Sequence, residues 1–202
     1  AEKEEASHLR YISQTLVDLG ELNIAEAEDA IKKMSRLCVT MFDGFIDVLE
    51  NPKTDMSSQV SALKKIEDES DLMLQEITQY LVRCSSKDIG PANANRIANM
   101  LRITQEVEEC VDCIYRLVKL NERRYKKDRQ FTPEQQEAIR EFAGSISQFV
   151  TFADQSLLAK ISSEDMAKAE AMKNMAATMR KKFNKSAMKR MSNGDVKPEM
   201  PN

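Results

Sequence analysis

Apolar side chains recur every three or four residues along most of the chain, which is the spacing of one face of an α-helix. Such stripes run through five segments, 23–49, 55–84, 92–126, 133–160 and 163–191. The stripe of the first segment is Ile24, Ala27, Ile31, Met34, Cys38, Met41, Phe42, Phe45 and Leu49. No segment shows the alternation of a half-buried strand. The pattern therefore predicts an all-α fold.

Turn-forming residues divide this pattern into six predicted helices, of which the first covers residues 2–19 and stops at Gly20. Thr132, Pro133 and Glu134 supply an N-cap, a first-turn proline and a first-turn acid at the start of the fifth helix. Helices of about 25 to 35 residues are longer than the average in globular proteins. With short loops between them, they predict an elongated antiparallel helical bundle.

The composition excludes several classes of function. The net charge of the 202 residues is -3, so we expect no nucleic-acid partner. His8 is the single histidine, which removes most acid–base and metalloenzyme chemistry. The sequence contains no glycine-rich phosphate loop, nucleophile elbow or catalytic triad pattern. We therefore expect the protein not to be an enzyme, although a metal-dependent carboxylate-cluster enzyme stays an alternative.

The four cysteines, Cys38, Cys84, Cys110 and Cys113, are few for a chain of this length, and each lies in a helix-like stretch. We expect them to be reduced, as in the cytosol. Cys110 and Cys113 flank apolar helix positions, which favours core packing. A thiolate metal ligand beside Asp112 is the alternative. No segment approaches the ~18 uninterrupted apolar residues of a membrane span.

Two acidic pairs are the sharpest chemical feature of the sequence. Glu67 and Asp71 stand four residues apart on one predicted helix, and Glu108 and Asp112 do so on the next. A spacing of four leaves two side chains about 40° apart on one helix face. If the two helices are antiparallel neighbours, four carboxylates converge, and such clusters bind hard or borderline cations. The alternative is two solvated acidic faces, because this spacing alone is a weak pattern.

Several short segments resemble known proteins. Residues 7–13 (Ser-His-Leu-Arg-Tyr-Ile-Ser), 22–27 and 31–34 are similar to the segment that follows the membrane part of bacterial sodium/phosphate cotransporters. Residues 65–81, with Glu-Asp-Glu-x-Asp and a closing Tyr-Leu, resemble the second helix of a PhoU domain. Residues 107–112 (Val-Glu-Glu-Cys-Val-Asp) stand where that family has Leu-Glu-Arg-Ile-Gly-Asp.

This resemblance implies a pair of three-helix bundles in tandem that regulates phosphate uptake. It also implies that Glu67, Asp71, Glu108 and Asp112 bind iron or zinc, because the family's Glu/Asp-x-x-x-Asp motifs bind multinuclear clusters of these metals. The domain would lie on the cytoplasmic side of the inner membrane, attached to the transmembrane transport unit of the same polypeptide. It would be a soluble part of a membrane protein and would transport nothing itself.

The sequence departs from the family pattern at several positions. Glu109 stands where the family has Arg, and Val111 stands where it has Gly. In the last predicted helix the motif weakens to Glu170-x-x-x-Asn174. Residues 193–199 resemble the loop before the family's final helix, so we expect that helix to be missing. The metal prediction is therefore restricted to the first bundle.

Four regions are predicted: a linker helix (1–20), a first PhoU-like three-helix bundle (21–130), an incomplete second bundle (131–191) and a flexible tail (192–202). The core side of the last helix is predicted to be Met166, Met172, Met175, Met179 and Phe183. Two helices cannot enclose a core, so we expect an apolar groove and self-association into a homo-oligomer. The predicted lining of the groove is Phe142, Phe149, Met172 and Met179.

The resemblance predicts the regulatory domain of a sodium-dependent phosphate cotransporter. Two alternatives are a stand-alone PhoU-like metal-binding adaptor and a metal-free helical interaction scaffold. Hydrophobic spans encoded immediately upstream in the full gene would distinguish the transporter domain from the adaptor. Metal analysis of protein purified without a chelator or an affinity metal would distinguish the metal-dependent carboxylate-cluster enzyme from the metal-free scaffold.

Overall fold

The structure is a computed structural model that describes residues 11–12, 20–51, 55–86 and 89–192. This part of the chain contains five helices and no strand, so the predicted all-α fold is confirmed. The helices are α1 (Gly20–Glu50), α2 (Ser57–Ser85), α3 (Gly90–Lys126), α4 (Pro133–Ser156) and α5 (Ser163–Ser192). The chain divides into two compact units, Ala1–Gln130 and Phe131–Asn202.

The first unit is a three-helix bundle in which each of α1, α2 and α3 packs against the other two. Its core is made of the apolar stripes of the three helices, because each stripe faces the bundle axis. The largest fully buried side chains are Ile24, Ile31, Met34, Met41, Met73, Ile77, Tyr80, Leu81, Ile97, Met100, Val111 and Val118. Burial of these side chains is the main favourable contribution to folding.

Polar contacts at both ends of the bundle fix the register of its helices. The hydroxyl of Tyr80 donates to Oε2 of Glu26 at 2.9 Å, which ties the end of α2 to the start of α1. At the opposite end, the side-chain amide of Asn121 donates to the carbonyl of Val48 at 2.7 Å. Tyr80 and Asn121 are both buried, and buried polar groups need such partners. These contacts show that α1 runs antiparallel to α2 and parallel to α3.

The second unit is an antiparallel hairpin of α4 and α5, joined by residues 157–162. The rings of Phe142 and Phe183 lie 6.2 Å apart near one end of the hairpin. Nearer the loop, the ammonium of Lys168 lies 5.0 Å from the centre of the Phe152 ring. In the described part of the two helices only Ala143 is buried, so most apolar side chains here are covered on one side only.

The predicted start of α4 at Pro133 is confirmed, whereas its predicted end near Lys160 is wrong. Oγ1 of Thr132 accepts from the backbone N–H of Gln135 at 3.3 Å, while the Gln135 side chain accepts from the Thr132 N–H at 2.9 Å. This is a capping box. The helix stops at Ser156 and does not reach Lys160, because Leu158 adopts the left-handed conformation, with φ of 58°.

Two predicted regions lie largely outside the described residues. Of the opening helix predicted over 2–19, only Tyr11 and Ile12 are described, and they form a bend. Of the predicted tail 192–202, only Ser192 is described, as the last residue of α5. Gly20 was predicted to end a helix but begins α1. Glycine is tolerated at helix starts as well as at helix ends, so its position alone does not decide between them.

The methionine stripe of α5 is less buried than predicted. Met166 is 60% exposed and Met175 is 44% exposed, so the prediction that both belong to the core is wrong. Met172, Met179 and Phe183 are half-buried. Within its unit α5 packs against α4 alone, and one neighbouring helix covers only one edge of a stripe this wide.

Candidate functional site

Three of the four predicted carboxylates converge where α2 and α3 run side by side. Glu108 on α3 is hydrogen-bonded to Asp71 on α2, and the charge of Asp112, one turn along α3, acts on the same carboxyl group. Glu67 instead forms an ion pair with Lys64 on its own helix. We call Asp71, Glu108 and Asp112 the acidic face.

The acidic face raises the pKa of Glu108 above its ordinary value. Burial is the largest cause, followed by the hydrogen bond with Asp71 and then by the negative charges of Asp71, Asp112 and Glu109. Burial and like charges both disfavour the ionised carboxylate. The raised pKa favours the protonated form of Glu108, which can donate a hydrogen bond to Asp71.

Cations from the same helices neutralise the flanking carboxylates. Lys64 contacts Glu67 and lies 2.6 Å from Oδ1 of Asp68. Arg116 pairs with Asp112 one turn away. Both cations are well exposed, and exposed ion pairs of this kind contribute little to stability. Their main effect here is to reduce the repulsion around the acidic face.

Each of the four predicted metal ligands contacts another side chain. Carboxylate oxygens suit hard and borderline cations. In the stretches of chain that the structure describes, however, no three His, Cys, Asp or Glu side chains form a group that could hold a metal ion. Asp112 is directed to Arg116, and Asp71 and Glu108 are directed to each other. Iron or zinc at Glu67, Asp71, Glu108 and Asp112 therefore stays a prediction.

A groove beside the acidic face was not predicted from the sequence. It is open to solvent, has a volume of about 720 Å³ and runs between α2 and α3. Its lining is Leu74, Gln75, Thr78, Gln79, Leu101, Arg102, Gln105 and Glu108. Side-chain amides both donate and accept hydrogen bonds, as a polypeptide backbone requires of its partner. The spacing of four between Asp71, Gln75 and Gln79 is the signal that could have placed all three on one face.

The prediction that Cys110 and Cys113 pack in the core is wrong, because both are exposed. The buried stripe of α3 passes through Val111 and Ile114. Each cysteine precedes one of these residues and therefore lies about 100° away from the core direction. Sequence periodicity could not separate the two positions, since cysteine is compatible with both environments.

We expect the Cys38→Ala substitution to slow the alkylation of Cys110 at pH 7 by roughly tenfold or more. The thiol of buried Cys38 hydrogen-bonds to Cys110 and lowers its pKa to about 7, so much of Cys110 is thiolate at that pH. Without this donor the pKa returns towards the ordinary value. Peptide mass spectrometry after timed labelling of native protein measures the rate. Cys113 is the internal control, and an unchanged Cys110 rate would contradict the assignment.

We expect Glu108→Gln to raise the free energy of unfolding at pH 7 by roughly 0.5 kcal/mol, since the acidic face is partly screened by water. Folding raises the pKa of Glu108, so the folded state binds more protons than the unfolded state between the two pKa values. The wild type therefore loses stability as the pH rises through this interval, and the variant does not. Below the ordinary glutamate pKa the two proteins should be equally stable.

Urea unfolding at pH 4 and pH 7 checks this expectation. Glu106→Gln is the matched control, because Glu106 is exposed on the same helix and its charge is not among those that raise the pKa of Glu108. A Glu108→Gln protein that is less stable than wild type at pH 7 would show that the ionised carboxylate is stabilising in the folded state.

Comparison with known families finds a match within the first unit. Residues 31–120 match the family model described as "PhoU domain". This part of the chain is similar to a PhoU domain. It contains both acidic pairs and the groove between α2 and α3. A search of curated proteins and a search of solved structures each found no match.

The predicted resemblance to a PhoU domain is thereby confirmed for the first unit. The PhoU-like domain indicates a role in phosphate-related regulation. Among the residues that the structure describes, no helix combines the length and the apolar character needed to cross a membrane. The link to a cotransporter stays a prediction.

Proposed function

We propose that the chain is the regulatory domain of a sodium-dependent phosphate cotransporter and that it controls phosphate uptake without catalysing a reaction. The observation that carries this proposal is the match of residues 31–120 to the PhoU domain. The cotransporter part rests on the resemblance of residues 7–13, 22–27 and 31–34 to the segment that follows the membrane part of such transporters. The partner is then the transport unit of the same polypeptide, on the cytoplasmic side of the inner membrane.

Regulation of this kind needs a surface that binds one state of the transport unit more tightly than the other. The groove between α2 and α3 has suitable chemistry, because exposed Gln75, Gln79 and Gln105 flank the apolar side chains of Leu74 and Leu101. An element of the transport unit can bury its apolar side chains there and satisfy its polar groups on the three amides. The acidic face at one end of the groove adds negative charge, which favours a basic element.

Uptake of radiolabelled phosphate tests the proposal in cells that express the full-length gene and have no other phosphate transporter. We expect uptake to require sodium. We also expect Gln75→Arg with Gln79→Arg to change the uptake rate several-fold, because two added charges and longer side chains block the groove. Gln155→Arg on α4 is the matched exposed control. Sodium-independent uptake, or equal rates in all three proteins, would refute the proposal.

A metal-free helical interaction scaffold is a second candidate, favoured by the pairing of Asp112 with Arg116 and of Asp71 with Glu108. The stand-alone metal-binding adaptor makes the opposite prediction for Asp112→Asn. If iron or zinc is bound, the substitution removes a ligand and should lower the melting temperature, because a metal that binds the folded state stabilises it. If no metal is bound, the substitution relieves repulsion at the cost of one exposed ion pair, so its effect should be small.

The melting temperatures of wild type and Asp112→Asn, each with and without chelator, separate these candidates. Destabilisation of the variant that vanishes when both proteins are chelated supports the metal-binding adaptor. A wild type indifferent to chelator, with a variant of equal or higher melting temperature, supports the metal-free scaffold. Elemental analysis of protein purified without an affinity metal gives an independent answer.

A further inference from the structure

The hairpin of α4 and α5 exposes an apolar groove at the end where α4 begins and α5 ends. The groove has a volume of about 270 Å³, and its apolar lining is Ala138, Phe142, Met175, Met179 and Phe183. Phe142, Met179 and Phe183 are half-buried, and Met175 is exposed. Helices gain most of their stability by burying one face in tertiary packing. Among their described side chains the two helices bury only Ala143, so they leave this source of stability largely unused.

The two walls of the groove carry opposite charge. The first three turns of α4 contain three acids, Glu134, Glu137 and Glu141, and one base, Arg140, which pairs with Glu137. The last four turns of α5 contain six bases and no acid, and the bases are Arg180, Lys181, Lys182, Lys185, Lys189 and Arg190. Because the hairpin is antiparallel, these turns lie at the same end, and Glu141 and Lys182 both border the groove.

Glu141 and Lys182 are available to a second molecule. Neither forms an ion pair with another residue of the described chain. A twofold axis that runs along the hairpin, over the groove, places the same ends of two copies together. It then sets the acidic wall of each copy against the basic wall of the other, and it encloses the apolar lining of both. Self-complementarity of this kind is the requirement of an isologous dimer.

We propose that two copies of the chain associate through this groove and form a four-helix bundle from their α4 and α5 helices. In this dimer Glu141 of each copy faces the partner's Lys182. Four-helix bundles enclose a core that a two-helix hairpin cannot. A surface of anionic lipid fits less well, because it would attract the basic wall and repel the acidic wall of the same groove. The proposal does not depend on the proposed regulatory function.

A charge exchange tests the proposal on the whole 202-residue chain. In a Glu141→Lys dimer both contacts become Lys–Lys, and in a Lys182→Glu dimer both become Glu–Glu. Because symmetry repeats each change twice, we expect each variant to raise the dimer dissociation constant about tenfold. An equimolar mixture of the two variants restores both attractive contacts and should dimerise as wild type does. Since neither side chain is in the core, both variants should fold, with helix content as in the wild type.

Sedimentation velocity from about 1 to about 200 µM measures the association state. A wild-type dimer that each substitution weakens and the mixture restores supports the proposal. A strictly monomeric wild type over this range overturns it, as does a dimer that is indifferent to both substitutions. Monomeric protein that binds vesicles of anionic lipid would also overturn it and would assign the groove to a membrane surface.

Discussion

Replacing Leu81 with alanine is expected to lower the free energy of unfolding of the PhoU-like domain by about 2–5 kcal/mol. Leu81 lies on α2 and is fully buried, with 0% of its side chain exposed. The substitution removes apolar contacts and leaves a cavity that a packed bundle closes only in part. A loss of this size is a large fraction of the total stability of a typical domain.

Leu120→Ala is the matched control, because it removes the same atoms from a side chain on α3 that is 55% exposed. We expect a change below about 0.5 kcal/mol there. All four tyrosines lie in the first unit and the chain has no tryptophan, so tyrosine fluorescence in urea reports on this unit alone. Equal effects of the two substitutions would mean that Leu81 is not a core residue.

The helical pattern predicted the first unit well because α1, α2 and α3 each bury a wide stripe. The pattern was less accurate for helix faces that a neighbouring helix covers on one side only. Ile66 and Leu74 follow the helical spacing on α2 but are half-exposed, since they border the α2–α3 side of the bundle. Met166 and Met175 on α5 follow the helical spacing and remain exposed. Periodicity reports which residues share a face, and it does not report whether a neighbour covers that face.

At the candidate site, sequence spacing predicted which residues share a helix face but not which contacts form between helices. The spacing of four predicted that Glu108 and Asp112 share a face, and the structure places both near Asp71. The pairing of Asp112 with Arg116 is also a four-residue spacing, but the sequence offers several such pairs and does not rank them. The hydrogen bond between Cys38 and Cys110 joins α1 to α3, and no local pattern could predict it.

Gly44 on α1 lies against the side chain of Leu63 on α2, and enlarging it is expected to be destabilising. A Cβ atom placed on Gly44 would clash with Cδ2 of Leu63 and lie 3.2 Å from its Cδ1. Leu63 is buried, with 4% of its side chain exposed, and has little space to move away. We therefore expect Gly44→Leu to lower the free energy of unfolding of the first unit by about 1–3 kcal/mol through overpacking.

Two further variants show whether the loss comes from this contact. Gly144→Leu introduces the same side chain on α4, where a Cβ atom meets nothing within 4 Å, so we expect no loss and a small gain in helix stability. Leu63→Ala combined with Gly44→Leu exchanges the large and small partners at nearly constant volume. Because the two side chains share one space, the double variant should be more stable than Gly44→Leu alone. Urea unfolding followed by far-ultraviolet circular dichroism measures all of these proteins, and strictly additive effects would show that Gly44 and Leu63 are not in contact.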